Sequence, residues 1–490
     1  MARHGVAMVW LRRTLRLADN PALAAAVAEA DEVVPAFVLE RRGDAAWPEG
    51  ASSRWWLGRS LEAFSAALAG RGSGLVIREG DAAEVLPALS RECGATAVYC
   101  DRRYEPDLAA ADVRVAATLE RAGVTIRAYN CSLVTEPDVP RTVAGGPFRV
   151  FTPYFNACSN LPLPGLPLPA PDRIPSPPIV PRGIQPGTRT DTAGGAPQNP
   201  GIYWQPGEAG ALAHTERFFS EAAEDYESDR DRPDRFGTSR LSPYLAFGEI
   251  GPRQLLADAR ALTEHGSAHP AAAGARAFVR QLYWREFAYH LLHHFPNTTE
   301  RPLRPEFEAF PWVEDSVGFE AWRAGRTGYP LVDAGMRELL TTGWMHNRVR
   351  MIVASFLTKD LLIPWQEGAR YFWERLVDAE LANNTLGWQW VAGSGADAAP
   401  YFRVFNPVLQ GEKYDPEGVY VRTWVPELAA VPNRWLHRPW EAPVAVLVDA
   451  GVSLGETYPA PIIDHGEARV RALAAYASIR GDGASGLGRS

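Results

Sequence analysis

The run DAELANNTLGWQW, residues 378–390, sets two carboxylates and two adjacent amides beside two tryptophans. Buried acids and amides destabilise a fold unless each finds a partner, so Asp378, Glu380 and Asn384 require donors, acceptors or a polar ligand close by. Trp388 and Trp390 stand two apart; on a helix they point in widely different directions, so one can pack inward while the other faces a cavity. Upstream, GTSRLS (237–242) places small hydroxyls just before a helical pattern. Such residues cap free backbone N–H groups at a helix start, where phosphate also binds. In HLLHH, His290, His293 and His294 have a spacing that can put imidazoles on one helical face, but no carboxylate or cysteine is arranged with them, and no metal is expected. The default role for each of the 16 tryptophans is core packing, and for an arginine a solvated surface pair.

Two kinds of element must position these residues. Up to about residue 130, short valine-rich runs (VAMVWL, VVPAFVLE, LVIRE, AVYCD, VTIRAY) alternate with alanine-rich amphipathic segments. Continuous apolar strands joined by helices predict a doubly wound α/β domain with a five-stranded parallel sheet over 1–130. No GxGxxG follows its first strand, so the dinucleotide fingerprint is missing. Residues 131–210 include LPLPGLPLPAPDRIPSPPIVPRG and read as an interdomain linker, long enough that it should drape across the first domain. From 211 to 475 apolar residues recur at helical spacing, predicting an all-α domain, and 476–490 reads as a flexible tail.

Bulk composition agrees with two soluble domains: 490 residues, 46% apolar and 22% charged. No apolar stretch is long enough to cross a bilayer and the N-terminus lacks a secretory pattern, so a cytoplasmic location is expected. The four cysteines, Cys93, Cys100, Cys131 and Cys158, have no CxxC pairing and predict neither a zinc site nor a disulfide framework. A net charge of −8 excludes a polybasic coat protein and confines any nucleic-acid site to a local patch.

Taken in order, VWLRRTLRLADNPAL, GTSRLSPYLAFGEI, QLYWREF, TGYPLVDAGMREL, GWMHNRVRM, DAELANNTLGWQW and DAAPYFRVFNP resemble the DNA photolyase and cryptochrome family over about residues 5–475, most closely bacterial class I cyclobutane pyrimidine dimer photolyases. The resemblance implies a FAD-dependent lyase that splits pyrimidine dimers in DNA with light, acting as a monomer. A blue-light photoreceptor of cryptochrome type is the alternative.

By the same resemblance the FAD lies in the helical domain, held by Tyr226, Thr238, Ser239, Arg240, Leu241, Ser242, Arg350, Asp378, Ala379, Glu380 and Asn384. Asp378 and Glu380 accept from flavin or ribose groups, Asn384 serves the flavin N5 region, and Arg350 pairs with Asp378. Trp388, Trp365 and Trp312 form an electron path from flavin to surface. Gln281 faces the dimer. Trp284, Trp390 and Met351 wall the hole that receives the extruded dimer, since aromatic faces stack on bases without needing sequence. Arg230, Arg285, Asn347, Arg348 and Gln410 complete the DNA contacts, the arginines as phosphate partners.

Two departures stand out. Gln281 replaces the glutamate usual in dimer photolyases, giving a permanent donor that cannot release a proton, and it adds weight to the cryptochrome reading. Glu380 replaces an aspartate, adding one methylene to a tight pocket. The histidines that photolyases for the pyrimidine six-four photoproduct carry at positions 347 and 351 are replaced by Asn347 and Met351, and all cysteines precede the helical domain, against an iron-sulfur branch. For an antenna chromophore, Asp107 and Leu108 stand where folate-binding relatives place asparagine and glutamate. A methenyltetrahydrofolate, a deazaflavin, a flavin mononucleotide and an empty pocket are all compatible.

Overall fold

A computed structural model describes residues 4–40, 45–162, 164–187, 196–264, 269–397 and 402–484. Strands β1 (His4–Leu11), β2 (Ala30–Leu39), β3 (Val76–Glu79), β4 (Ala95–Asp101) and β5 (Thr125–Tyr129) form one sheet in the order β3-β2-β1-β4-β5, every pair parallel. The strand side chains alternate between two cores. Ala7, Val9 and Leu11 join Leu23 of helix α1 (Pro21–Glu29) and Trp56 of α2 (Ala51–Ala69). Met8 and Trp10 join Leu86 of α3 (Ala82–Cys93) and Leu119 of α4 (Pro106–Arg121) on the other face. Burial on both faces is why these strands read as unbroken apolar runs. The strand order reverses between β1 and β4, and the crevice beyond their carboxyl ends is where open α/β sheets bind ligands.

Within the segment read as linker, helix α5 (Phe151–Ser159) is ordered and buries Phe151 and Tyr154. The proline-rich stretch after it lies along the first domain, bonded backbone to backbone from Leu168 O to Asp19 N and from Pro175 O to Val33 N, each 2.7 Å. Proline carbonyls keep their acceptor capacity, so such a strap can hydrogen-bond without regular structure.

The helical domain positions the site through α6 (Ala272–His294), α7 (Ser316–Arg323), α8 (Asn347–Ser355), α9 (Trp365–Arg375), α10 (Leu381–Ala392), α11 (Pro407–Tyr414) and α12 (His465–Ala484). Helix α10 is apolar on nearly every side because it is buried between neighbours, and it ends at Gly393 with φ 86°, a left-handed cap that suits glycine. The predicted tail is corrected in part: α12 runs past 476 to Ala484 and buries Ile479, because its apolar face closes a satellite core with Phe307 and Phe310. Among the described residues no helix is long and apolar enough to cross a membrane.

The two domains share a buried carboxylate. Glu249, fully buried, accepts from Trp56 Nε1 at 3.1 Å and from the Ser60 hydroxyl, both on α2, and from Gly207 N–H at 2.7 Å. Glu286 similarly ties α6 to the chain after β5, accepting from Val134 and Thr135 N–H at 3.0 Å.

His290, the first of the three histidines on α6, has a structural role. Both ring nitrogens of His290 are engaged: Nε2 accepts from Phe148 N–H at 3.0 Å, which leaves Nδ1 to donate to Pro137 O at 2.7 Å. No lone pair is left for a metal. Burial pushes the His290 pKa down to about 4. The unfolded chain therefore binds a proton first as pH falls below about 6.5, so this contribution is complete above that value and is lost toward pH 4. We expect stability to fall by about 2–3 kcal/mol from this group across that window. Urea titrations of the wild type and His290→Leu between pH 7 and 4.5 measure it, and equal pH slopes for both would contradict the assignment.

Candidate functional site

The centre of the site lies where the 237–242 turn, α8 and the start of α10 converge. Asp378 Oδ2 accepts from the Ser242 hydroxyl at 2.6 Å and from Arg350 Nη2 at 2.7 Å, and Arg350 Nε donates to Met345 O at 2.8 Å. Trp344 Nε1 reaches the Ser242 hydroxyl at 3.2 Å. Residue 240 breaks the chain direction with a φ of 52°, which lets Leu241 bury while Ser242 opens the next short helix. The Arg240 guanidinium lies 5.0 Å from the Trp344 ring and 5.4 Å from Phe236, and burial lowers its pKa. Tyr226 is buried beneath Arg230, whose guanidinium is 5.5 Å from its ring. Thr238 and Ser239 are half-buried on the same turn, and Ala379 is buried beside Asp378.

Asn384 donates to Ala369 O on α9 at 2.9 Å, which fixes its amide. Trp388, one turn further along α10, is 2% exposed. Its ring neighbours are Phe372 at 5.0 Å and Trp322 at 6.2 Å, and Trp322 in turn meets Tyr371 at 5.6 Å. Trp365 and Trp312 belong to the same core, Trp365 buried and Trp312 half-buried with its ring 4.4 Å from Phe310. Trp322 was missed from sequence because only the fold brings α7 against α10.

Trp390 is half-buried and donates from Nε1 to Asp397 O at 3.1 Å. Trp284 lies face to face with Phe151 of α5, and Gln281 sits half-buried one turn before it on α6. Asn347 is exposed at the start of α8, within 4.0 Å of the Met351 sulfur. Arg348 pairs with Asp231 at 2.7 Å and stands 4.6 Å from the Tyr414 ring. Together with Arg403, Gln410, Lys413, His465 and Arg469 it lines an open basin of about 600 Å³ with no acid among its lining residues. It is a local basic patch on a chain of net charge −8. Residues 398–401 of the DAAPYFRVFNP motif lie outside the described residues.

Two of the expected site residues pair with each other. Arg285, expected on DNA, is 8% exposed and forms an ion pair with Glu380 at 2.5 Å while donating to Ser132 O at 2.7 Å. Glu380, expected on the flavin, is occupied by Arg285, by the Tyr289 hydroxyl at 2.7 Å and by Asn383. Arg285 and Glu380 both line a different space, and the Glu380 carboxylate accepts there from Arg285, Tyr289 and Asn383, all of the helical domain. That space is a cavity of about 770 Å³ between the domains, at the strand-order reversal. It is lined by Arg12, bonded to Asp112 at 2.5 Å, by Asp107 and Leu108, and by Trp47 and Trp373, whose rings meet edge to face at 5.6 Å. Trp47 Nε1 is buried without an acceptor. Trp47 and Trp373, 326 residues apart, carry no sequence signal that joins them.

The residues present fit FAD. Asp378 Oδ1 is buried with no donor, and the Arg240 guanidinium has no ion pair among the described residues. A hydroxyl-bearing, imide-bearing diphosphate would satisfy both.

The family described as DNA photolyase matches residues 7–172, and the FAD binding domain of DNA photolyase matches residues 278–478. A deoxyribodipyrimidine photo-lyase of Agrobacterium fabrum is 45% identical, with 96% of this chain and 98% of that protein covered. Cryptochrome-2 of Arabidopsis thaliana is 39% identical over 94% of this chain and 77% of its own length. The crystal structure of a bacterial class III photolyase from Agrobacterium tumefaciens superposes with a TM-score of 0.92 at 44% identity, covering 98% of each chain. Fold, cofactor turn and full-length similarity together place the chain in the DNA photolyase family, with its helical domain binding FAD. That structure is described as class III, where the sequence motifs resemble class I.

Proposed function

We propose that the protein is a light-driven lyase for cyclobutane pyrimidine dimers in DNA. The observation that carries this reading is that one helix, α10, presents a buried tryptophan inward at 388 and a half-buried one at 390, beside the Asp378 cluster. FAD, when bound in its reduced form, would supply reversible light-driven one-electron chemistry, through which both cyclobutane C–C bonds open with no net oxidation. Asp378, Arg350 and Ser242 hold and orient the cofactor, and the Arg350 charge favours its anionic form. Asn384, locked to Ala369 O, offers the carbonyl of its amide. Trp284, Trp390 and Met351 exclude water and receive the extruded bases, whose unstacking costs a few kcal/mol. Gln281 donates an N–H to the lesion at every pH. Arg230, Asn347, Arg348 and Gln410 position the strand.

The interdomain cavity has the size of a small-molecule site and an aromatic pair at its mouth, supporting an antenna chromophore there. Asp107 and Leu108 line it without the amide and carboxylate of the folate pattern. A second reading, a photosensor, is favoured by Gln281 and by the Arabidopsis relative.

Purified, reduced protein mixed with dimer-containing DNA separates the two. Base restoration in blue light and none in darkness is expected; binding without restoration would leave the sensor. For photoreduction, Trp365→Phe should slow but not abolish flavin reduction, because Trp322 and Tyr371 offer Trp388 a second ring path to the surface. Trp365→Phe with Trp322→Phe should abolish it while repair by chemically reduced enzyme persists. Full photoreduction in the double variant, followed by flavin absorbance, would exclude both paths.

A further inference from the structure

Helix α5, in the stretch whose composition reads as linker, reaches both tryptophans assigned to the dimer. Phe151, its first residue, stacks on Trp284 with ring centroids 3.8 Å apart and planes 10° from parallel. Arg280, one turn before Trp284 on α6, holds its guanidinium 4.8 Å from the Phe151 ring and 5.1 Å from Phe155, and donates to Thr152 Oγ1 at 3.3 Å. Trp390 is reached by a separate route. Its Nε1 donates to Asp397 O at 3.1 Å, and Asp397 N–H donates to Arg149 O at 3.1 Å, two residues before Phe151. The Asp397 carboxyl closes the circuit: burial raises its pKa, while the Phe151 N–H and the Arg280 charge pull it back. Asp397 sits at φ 51°, a left-handed conformation that aspartate tolerates better than most residues and that its partners hold in place.

We propose that Phe151, Arg280 and Asp397 form a brace that fixes the ring planes of Trp284 and Trp390 relative to each other. This rests on the proposed lesion site. The two rings come from α6 and α10, more than a hundred residues apart in sequence, and without a common support each would keep its own rotamer freedom. Stacking a base between walls already set in place avoids ordering them on binding. Phe151 covers one face of Trp284, so a base can stack only on the other. These are positioning residues: none of the three is assigned a contact with flavin or dimer.

The test uses the full-length, FAD-loaded protein and a single-stranded oligothymidylate carrying one thymine dimer. Phe151→Ala should weaken dimer binding on the order of tenfold, and Phe151→Tyr should restore it. The loss should fall on KM and leave kcat, the flavin spectrum and the photoreduction rate unchanged. On a Trp284→Ala background Phe151→Ala should add nothing, because the ring it supports is gone. Asp397→Asn, which tolerates the left-handed backbone, should weaken binding and be non-additive with Trp390→Ala. Should Phe151→Ala fail to fold, the Asp397 pair decides alone. Unchanged affinity in the single variants, or fully additive losses in the doubles, would overturn the brace. A wild type that binds no dimer overturns the lesion site and the brace together, whereas a wild type that binds alongside unaffected variants overturns the brace only.

Discussion

Asp378→Ala is expected to purify without yellow colour. The substitution removes the acceptor of Ser242 and Arg350 and strands the guanidinium next to Trp344. Breaking one side of a largely buried ion pair leaves the other charge uncompensated, an effect of about 3 kcal/mol. Expressed in cofactor retention, this lowers FAD affinity on the order of a hundredfold, since about 1.4 kcal/mol is a factor of ten. Asp378→Asn keeps the shape and one acceptor and should lie between. Absorbance near the flavin maxima, with flavin released by denaturation as the reference, measures occupancy. Full occupancy in Asp378→Ala would remove this residue from the cofactor site.

Gly368→Ala is expected to damage photoreduction more than any exchange on the protein surface. Helix α9 crosses α10 so closely at Gly368 that a Cβ there would overlap the outer edge of the Trp388 ring and stand 2.7 Å from Leu357 Cδ2. Neither neighbour is the free end of a flexible chain, because Trp388 is wedged against Phe372 and Trp322. Overpacking of this kind costs about 2–3 kcal/mol and moves the ring. Urea unfolding should show the stability loss, and transient absorption should show slowed reduction of the flavin while binding of dimer DNA is retained. Normal stability and normal photoreduction together would mean that the helices separate freely at this point.

The α/β domain was legible in full, because a sheet buried on both faces writes itself as unbroken apolar runs and its helices as alternating amphipathic ones. The GTSRLS turn was legible only in part: a short helix follows it as expected, but Leu241 stands at its N-cap with no side-chain bond and the Ser242 hydroxyl donates to Asp378 instead. What failed depended on distance. Arg285 follows Trp284 directly, yet it pairs with Glu380, 95 residues away. Helical geometry separates them: Trp284 and Arg285 leave the helix about 100° apart, so one faces α5 and the other faces Ser132 and Glu380. Helix α5 was hidden for another reason. Its stretch follows β5 and precedes the proline-rich segment, and a single helix of nine residues leaves little periodicity to read. Trp322 and the pair Trp47 and Trp373 required the tertiary fold.

Glu249 gives the two-part organisation a thermodynamic limit. Pulling the halves apart would strip Glu249 of the indole and hydroxyl that α2 supplies and open to water the apolar seam in which Trp56 packs with Tyr244, Phe247 and Ile250. The border so plain in the sequence is therefore no line of weakness: the molecule should melt as one cooperative unit, and neither half should survive alone after a protease cuts between them.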